Sequence, residues 1–102
     1  MNRELQNKVY AATRKIQRGQ VATYADIARA VGRPRAWRFV GTVLSFNRDA
    51  QTPCYRVIRS DGWVGGFGLP GGNAAKQKRL RAEGVIIKGG RVDLKHYRSG
   101  NL

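Results

Sequence analysis

Thirteen of the 102 residues are glycine, and their placement limits what the chain can build. Glycine ends helices in the left-handed region and weakens strand interiors, so breaks at Gly19, Gly32, Gly84 and Gly89-Gly90 leave room only for short elements. Between them, Leu5, Val9, Ala12 and Ile16 fall at helical spacing and predict an amphipathic helix that stops at Gly19. Thr23 with Asp26 three positions on resembles a capping box and opens a short helix through Ile27, Ala28 and Val31 that ends at Gly32. Arg33-Pro34 makes a turn into a third helix, with Ala36, Val40, Val43 and Leu44 inward and Arg38, Gly41 and Ser45 on the opposite side. Helix, tight turn, helix is a DNA-reading arrangement, and Arg35 to Phe46 is its expected recognition helix.

The second half alternates strand-like and glycine-rich stretches. After Asn47 and a polar loop over residues 48–52, Tyr55-Arg56-Val57-Ile58 reads as a strand turned by Ser60-Asp61-Gly62 into Trp63-Val64. Gly65 to Gly72 must be a loop, Asn73 caps a fourth helix ending at Gly84, and residues 85–87 with 91–94 form a second hairpin about Gly89-Gly90. The tail from Lys95 is expected to fray, and the two tryptophans to lie in the core. The fold class is α/β, mainly α: a winged-helix-like helix-turn-helix with short β-hairpin elements. It is expected as a single domain over residues 1–102, without a separate amino-terminal domain.

Charge narrows the partner. Twenty Lys and Arg stand against six Asp and Glu, a formal net charge of +14, so a polyanion is expected and nucleic acid first among them. A basic solvated surface with no such partner is the bland alternative. One cysteine excludes an internal disulfide, and one histidine, His96, excludes an ordinary Cys/His zinc cluster. No metal and no cofactor are expected. No apolar run approaches the roughly 20 residues that span a bilayer, and the start lacks the apolar core of a signal peptide, so no membrane partner and a cytoplasmic, nucleoid-associated or nuclear location are expected. Cys54, the single thiol, is either a catalytic nucleophile or an inert, small buried hydrophobe.

The order of motifs decides between those readings. Gly19-Gln20-Val21-Ala22-Thr23-Tyr24-Ala25-Asp26-Ile27-Ala28, then Arg38-Phe39-Val40-Gly41, Asn47, Pro53-Cys54-Tyr55-Arg56-Val57, Val64-Gly65, Gly71-Gly72, and Lys76 with Glu83-Gly84 together resemble the DNA-binding domain of the O6-alkylguanine-DNA alkyltransferases. The resemblance runs from about Val9 to Leu94. It implies a domain that approaches the minor groove of double-stranded DNA, flips out O6-alkylguanine and takes the alkyl group once, irreversibly, on Cys54. It assigns DNA contacts to Tyr24, Arg35, Arg38, Phe39, Gly41 and Arg56, with Arg38 filling the space of the flipped base, although Tyr24 also reads as a core aromatic. It assigns the substrate pocket to Val64, Gly65, Gly66, Phe67 and Gly68, and the chemistry to Cys54, Tyr55, Asn47 and Glu83.

Three departures qualify that assignment. Where the family has a histidine after the cysteine, this chain has Tyr55, and a phenol with a pKa of about 10 is a poor base at neutral pH. Slower transfer, or none, is expected, and Glu83 then reads equally as a carboxylate paired with a neighbouring Lys or Arg. Bulky Trp37 and Phe39 flank Arg38, so that one packs inward or the docking differs. The substrate loop carries Leu69-Pro70 as an apparent insertion and Phe67 in place of a tyrosine.

The short chain also resembles alkyltransferase-like proteins, which bind alkylated guanine without repairing it and pass it to nucleotide excision repair proteins, though these usually have tryptophan at the cysteine position. A monomeric single-turnover methyltransferase is the first reading and a damage-recognition protein the second. A winged-helix regulator of undamaged DNA comes last, because it leaves Cys54 without a purpose.

Overall fold

The computed structural model describes residues 2–65, 71–100 and 102. The first helix, α1 (Arg3–Arg14), starts where the Asn2 side chain accepts the Leu5 N–H at 3.1 Å, with Glu4 and Arg14 placed to suit the helix dipole. It ends a turn before Gly19. There the Lys15 and Ile16 N–H groups bond back to Ala12 and Thr13 carbonyls, each at 3.1 Å, which tightens the last turn. Ile16 lies outside the helix yet stays in the core.

The capping box at α2 (Tyr24–Ala30) is complete: the Asp26 N–H donates to Thr23 Oγ1 and the Thr23 N–H to Asp26 Oδ2, both at 3.0 Å. Gly32, at φ +78°, turns the chain so that the Arg33 N–H reaches the Ala28 carbonyl at 2.9 Å. A further turn over Pro34, closed by the Ala36 N–H on the Arg33 carbonyl at 2.8 Å, delays the recognition helix α3 to Trp37–Ser45. Arg35 therefore precedes α3 instead of lying on it. Gly41, expected on the outer side, is buried.

The first expected hairpin does not form. Cys54–Arg56 coils into a single 3₁₀ turn, leaving only Val57–Ile58 extended as β2. That strand pairs in parallel with β1 (Ala22–Thr23), Ala22 opposite Val57 and Thr23 opposite Ile58. Both β2 residues are fully buried, as suits a parallel pair covered on both faces. Residues 59–63 still form a turn, but Trp63 bridges to Arg91. The second hairpin forms about Gly89-Gly90 but is shorter than expected, β3 (Ile87–Lys88) against β4 (Arg91–Val92), with Gly89 and Gly90 at φ +58° and +76°.

Alternation along these strands divides the interior in two. Ala22 and Val57 face a core with Val9, Ile16, Ile27 and Val40, whereas Val21 and Ile58 face a second core with Val64, Leu80, Val85 and Val92. Between them, the second core and the Cys54 turn position α4 (Gly72–Ala82), whose N-cap is Gly71 at φ +83°. Asn73 is not the cap. It sits in the first turn and its side chain donates to the Gly65 carbonyl. The basic tail is also ordered: α5 (Leu94–Tyr97) is followed by Ser99, whose N–H donates to the Val21 carbonyl at 2.7 Å, and the Arg98 guanidinium makes two bonds to Asp26. Trp37 is 48 % exposed, so it is not a core residue.

Among the described residues no helix is long and apolar enough to cross a membrane.

Candidate thiol site and DNA-facing cavity

Cys54 opens the 3₁₀ turn, half-buried against the first core. The loop before it is tied down. Asn47 spends both amide N–H donors on the loop backbone, to Thr52 O at 3.0 Å and Asp49 O at 3.3 Å, while the Thr52 hydroxyl donates to Asp49 at 3.0 Å. Both donors of the Asn47 amide are thus committed to the loop that precedes Cys54.

Lys76, Leu80 and Glu83 recur at i, i+4 and i+7, so α4 and its C-cap put them on one face, toward the Cys54 turn. At the lower end of that stripe, Glu83 is satisfied from several sides. Arg56 donates to it at 2.9 Å and 2.7 Å, Tyr55 Oη at 2.5 Å and the Gly19 N–H at 3.3 Å. Burial pushes its carboxyl up, but the bonds from Arg56, Tyr55 and Gly19 outweigh that and hold it below the usual carboxylate range. Tyr55 is pushed up by burial and by its bond to Glu83, so it remains a donor. It bonds the carboxylate and not Cys54. Arg56, read as a DNA contact, instead faces inward, with a third bond to the Ile16 carbonyl at 2.8 Å.

The upper end of the stripe differs. Lys76 is only 2 % exposed, with Nζ 3.5 Å from Tyr24 Oη and 5.7 Å from the Tyr24 ring centroid. Burial pulls its ammonium pKa down to about 8, an effect that the nearby Cys54 charge opposes. Burial, then the same Cys54 charge, pushes Tyr24 up to about 12. Near Cys54 there is thus a lysine whose proton is loosened by burial and a phenol that keeps its own. The role of Lys76 escaped the sequence reading, which had only its spacing; the i, i+4, i+7 stripe was the available signal.

Tyr24, the partner of Lys76, also belongs to the outer face. With Trp37, Arg38, Gly41, Thr42 and Arg59 it lines a cavity of about 750 Å³. Arg38 is exposed there, and Arg35 is exposed nearby on the approach to α3. Phe39, assigned to the DNA face, instead packs half-buried on the first core, because it lies on the flank of α3 next to Val40. Val64, assigned to the substrate pocket, is fully buried in the second core, its N–H on the Gly90 carbonyl at 2.9 Å. Gly65 stands at φ +69°, its carbonyl held by Asn73. Gly66, Phe67, Gly68, Leu69 and Pro70 lie outside the described residues.

A family described as "6-O-methylguanine DNA methyltransferase, DNA binding domain" matches residues 4–85. The chain belongs to this family. Among its relatives, a bifunctional methyltransferase/endonuclease of Picrophilus torridus is 44 % identical over 97 % of the chain and 33 % of its own length. A methylated-DNA–protein-cysteine methyltransferase of Metallosphaera sedula is 45 % identical over 79 % of the chain and 49 % of its own length. The chain therefore spans a third to a half of these relatives. The crystal structure of Schizosaccharomyces pombe Atl1 with damaged DNA containing O6-carboxymethylguanine superimposes with a TM-score of 0.87 at 32 % identity, covering 97 % of each chain. The mainly helical fold with short strands is that of the alkyltransferase DNA-binding domain.

Proposed function

We propose that this chain repairs DNA, binding a duplex that contains O6-alkylguanine, turning the damaged base toward the Tyr24–Arg38 cavity and taking its alkyl group on Cys54. The observation that carries this reading is the half-buried thiol near a buried lysine of lowered pKa, whose hydrogen-bond partner Tyr24 also lines the cavity that exposes Arg38. In the step itself the Cys54 thiolate attacks the O6-bound carbon. The S–C bond forms, the C–O bond breaks, the electron pair stays on the guanine, and the proton that left the thiol ends on the guanine. Lys76 receives the thiol proton or balances the thiolate charge, and Tyr24, held neutral, can donate toward the leaving base. Asn47 fixes the loop, and Glu83 with Arg56 and Tyr55 braces the turn.

Base extrusion follows from reach. A sulfur cannot approach the alkyl carbon in line while the base is stacked, and the exposed Arg38 in the cavity lining would fill the vacated space. The net charge of +14 supplies phosphate affinity.

The test is intact mass after incubation with duplex DNA containing O6-methylguanine. One added methylene on the peptide carrying Cys54, absent in Cys54→Ala, is the expected outcome; an unchanged mass under prolonged excess removes the transfer step. A recognition protein without transfer is the second reading, favoured by Tyr55 at the usual histidine position and by the similarity to Atl1 over nearly its whole length. In that reading another protein completes repair, from nucleotide excision repair or, as the bifunctional relative suggests, an endonuclease.

A further inference from the structure

Trp37 is a large apolar side chain that neither core absorbs. It is the first residue of α3 and 48 % exposed, one of three exposed large hydrophobic residues among those described. The other two, Phe46 and Ile86, do not line the cavity, whereas Trp37 does, beside Tyr24, Arg38 and Arg59. The Arg38 guanidinium carbon lies 5.0 Å from its ring centroid, inside the range of a cation–π contact. An exposed indole loses favourable burial in the free protein, and its neighbour Phe39 shows that an aromatic on α3 can turn inward. Trp37 instead stands beside a cation in the lining of the space a nucleotide would enter.

We propose that Trp37 is a specificity-determining residue, a stacking platform for the extruded base. In the free protein Arg38 rests on the indole. When Arg38 moves into the duplex, it uncovers that face as a base leaves the stack, and the indole offers the base a π surface in place of its lost neighbours. Stacking is tolerant of base identity, since every base has a π face. Trp37 therefore favours any base that is already poorly paired, and selection of the alkyl group is left to the thiol pocket. This inference rests on the DNA-binding part of the function proposed above, and not on alkyl transfer.

Tryptophan fluorescence tests it in Cys54→Ala, where no transfer occurs. Emission is followed as this protein and its Trp37→Phe derivative are titrated with three duplexes: fully paired, with one unpaired guanine, and with O6-methylguanine. The difference between the two proteins isolates Trp37 from Trp63. Trp37 emission is expected to fall by at least half on the unpaired-guanine duplex and to change little on the paired one.

Trp37→Ala should lose roughly 5- to 30-fold of the preference for unpaired over paired DNA, with Trp37→Phe retaining most of it and the salt slope unchanged. Equal quenching by paired and unpaired duplexes, or no quenching by unpaired guanine, overturns the proposal, as does an equal loss of affinity for both duplexes in Trp37→Ala. Quenching and preference on unpaired guanine without any on O6-methylguanine would leave Trp37 in this role and remove the alkylguanine reading instead.

Discussion

Glu83 and Lys76 lie two helical turns apart on one face of α4 and its cap, and both address the turn that carries Cys54, but their surroundings are opposite. Glu83 accepts four hydrogen bonds, two of them from the Arg56 guanidinium. Its charge is answered on both oxygens. Lys76 is as deeply buried, yet its one side-chain hydrogen bond among the described residues is a long contact to a neutral hydroxyl. A satisfied charge stabilises the fold, whereas an unsatisfied one beside a thiol is available for chemistry. Replacement of the usual histidine by Tyr55 thus coincides with closure of the Glu83 end, and the proposed transfer assigns proton handling to the lysine end.

Lys76→Met is the sharpest way to break that contrast. Loss of the proton acceptor should slow transfer about 100-fold or more at neutral pH, within the range of general acid–base effects. Stability should move the other way. A lysine with its pKa lowered from 10.5 to about 8 is bound to fewer protons folded than unfolded, so wild-type stability should rise with pH between those values. The shift corresponds to about 3 kcal/mol of strain at neutral pH, which methionine relieves in part. Thermal melts from pH 7 to 10.5 should show a rising Tm in wild type and a flatter one in Lys76→Met. A melt independent of the substitution, with full transfer, would return Lys76 to a packing role.

Glu83→Ala should produce the converse pattern. Removing one partner of a buried ion pair leaves Arg56 uncompensated, at a cost of about 3–5 kcal/mol. Because the Glu83 carboxyl is held below its ordinary pKa, its contribution is present above the unfolded value and is lost as pH falls through the folded one. Acid unfolding should accordingly be shallower in Glu83→Gln than in wild type, with transfer by the folded protein nearly unchanged. A transfer rate that collapses while the fold survives would show that Glu83 acts in catalysis after all.

Tyr55→His carries the smallest expected effect. The tyrosine hydroxyl donates to a carboxylate that already has three other donors, and the Arg56 and Arg79 guanidinium carbons lie 5.4 Å and 5.3 Å from the ring centroid. An imidazole there would lie between those cations and a carboxylate already paired with Arg56, so it gains little as a proton carrier. Less than about a fivefold change in transfer is expected, well below the effect at Lys76. A large acceleration would mean that the missing histidine, and not the lysine, limits the reaction.

What the residues alone determined about this protein is local. The capping box at Thr23 and Asp26, the left-handed breaks at Gly32 and Gly84 and the Gly89-Gly90 hairpin depend on neighbours a few positions apart, and each stands where the sequence places it. The motif order likewise led to the family, because spacing along the chain is itself sequence. Errors arose where pairing is not local. Val57–Ile58 could serve a hairpin or a parallel partner equally well by composition, and it was β1, a whole helix-turn-helix earlier, that claimed it. The same holds for the tail, which reads as frayed until Val21 supplies a hydrogen-bond partner for Ser99. At the site, Cys54 was legible and its surroundings were not. Tyr55 meets Glu83 across 28 residues and Lys76 meets Tyr24 across 52; burial lowers the lysine, and bonds from distant residues commit the glutamate. Desolvation belongs to the packed interior and to no residue by itself, so only the tertiary structure could decide which of the two ends of α4 closes and which stays open to chemistry.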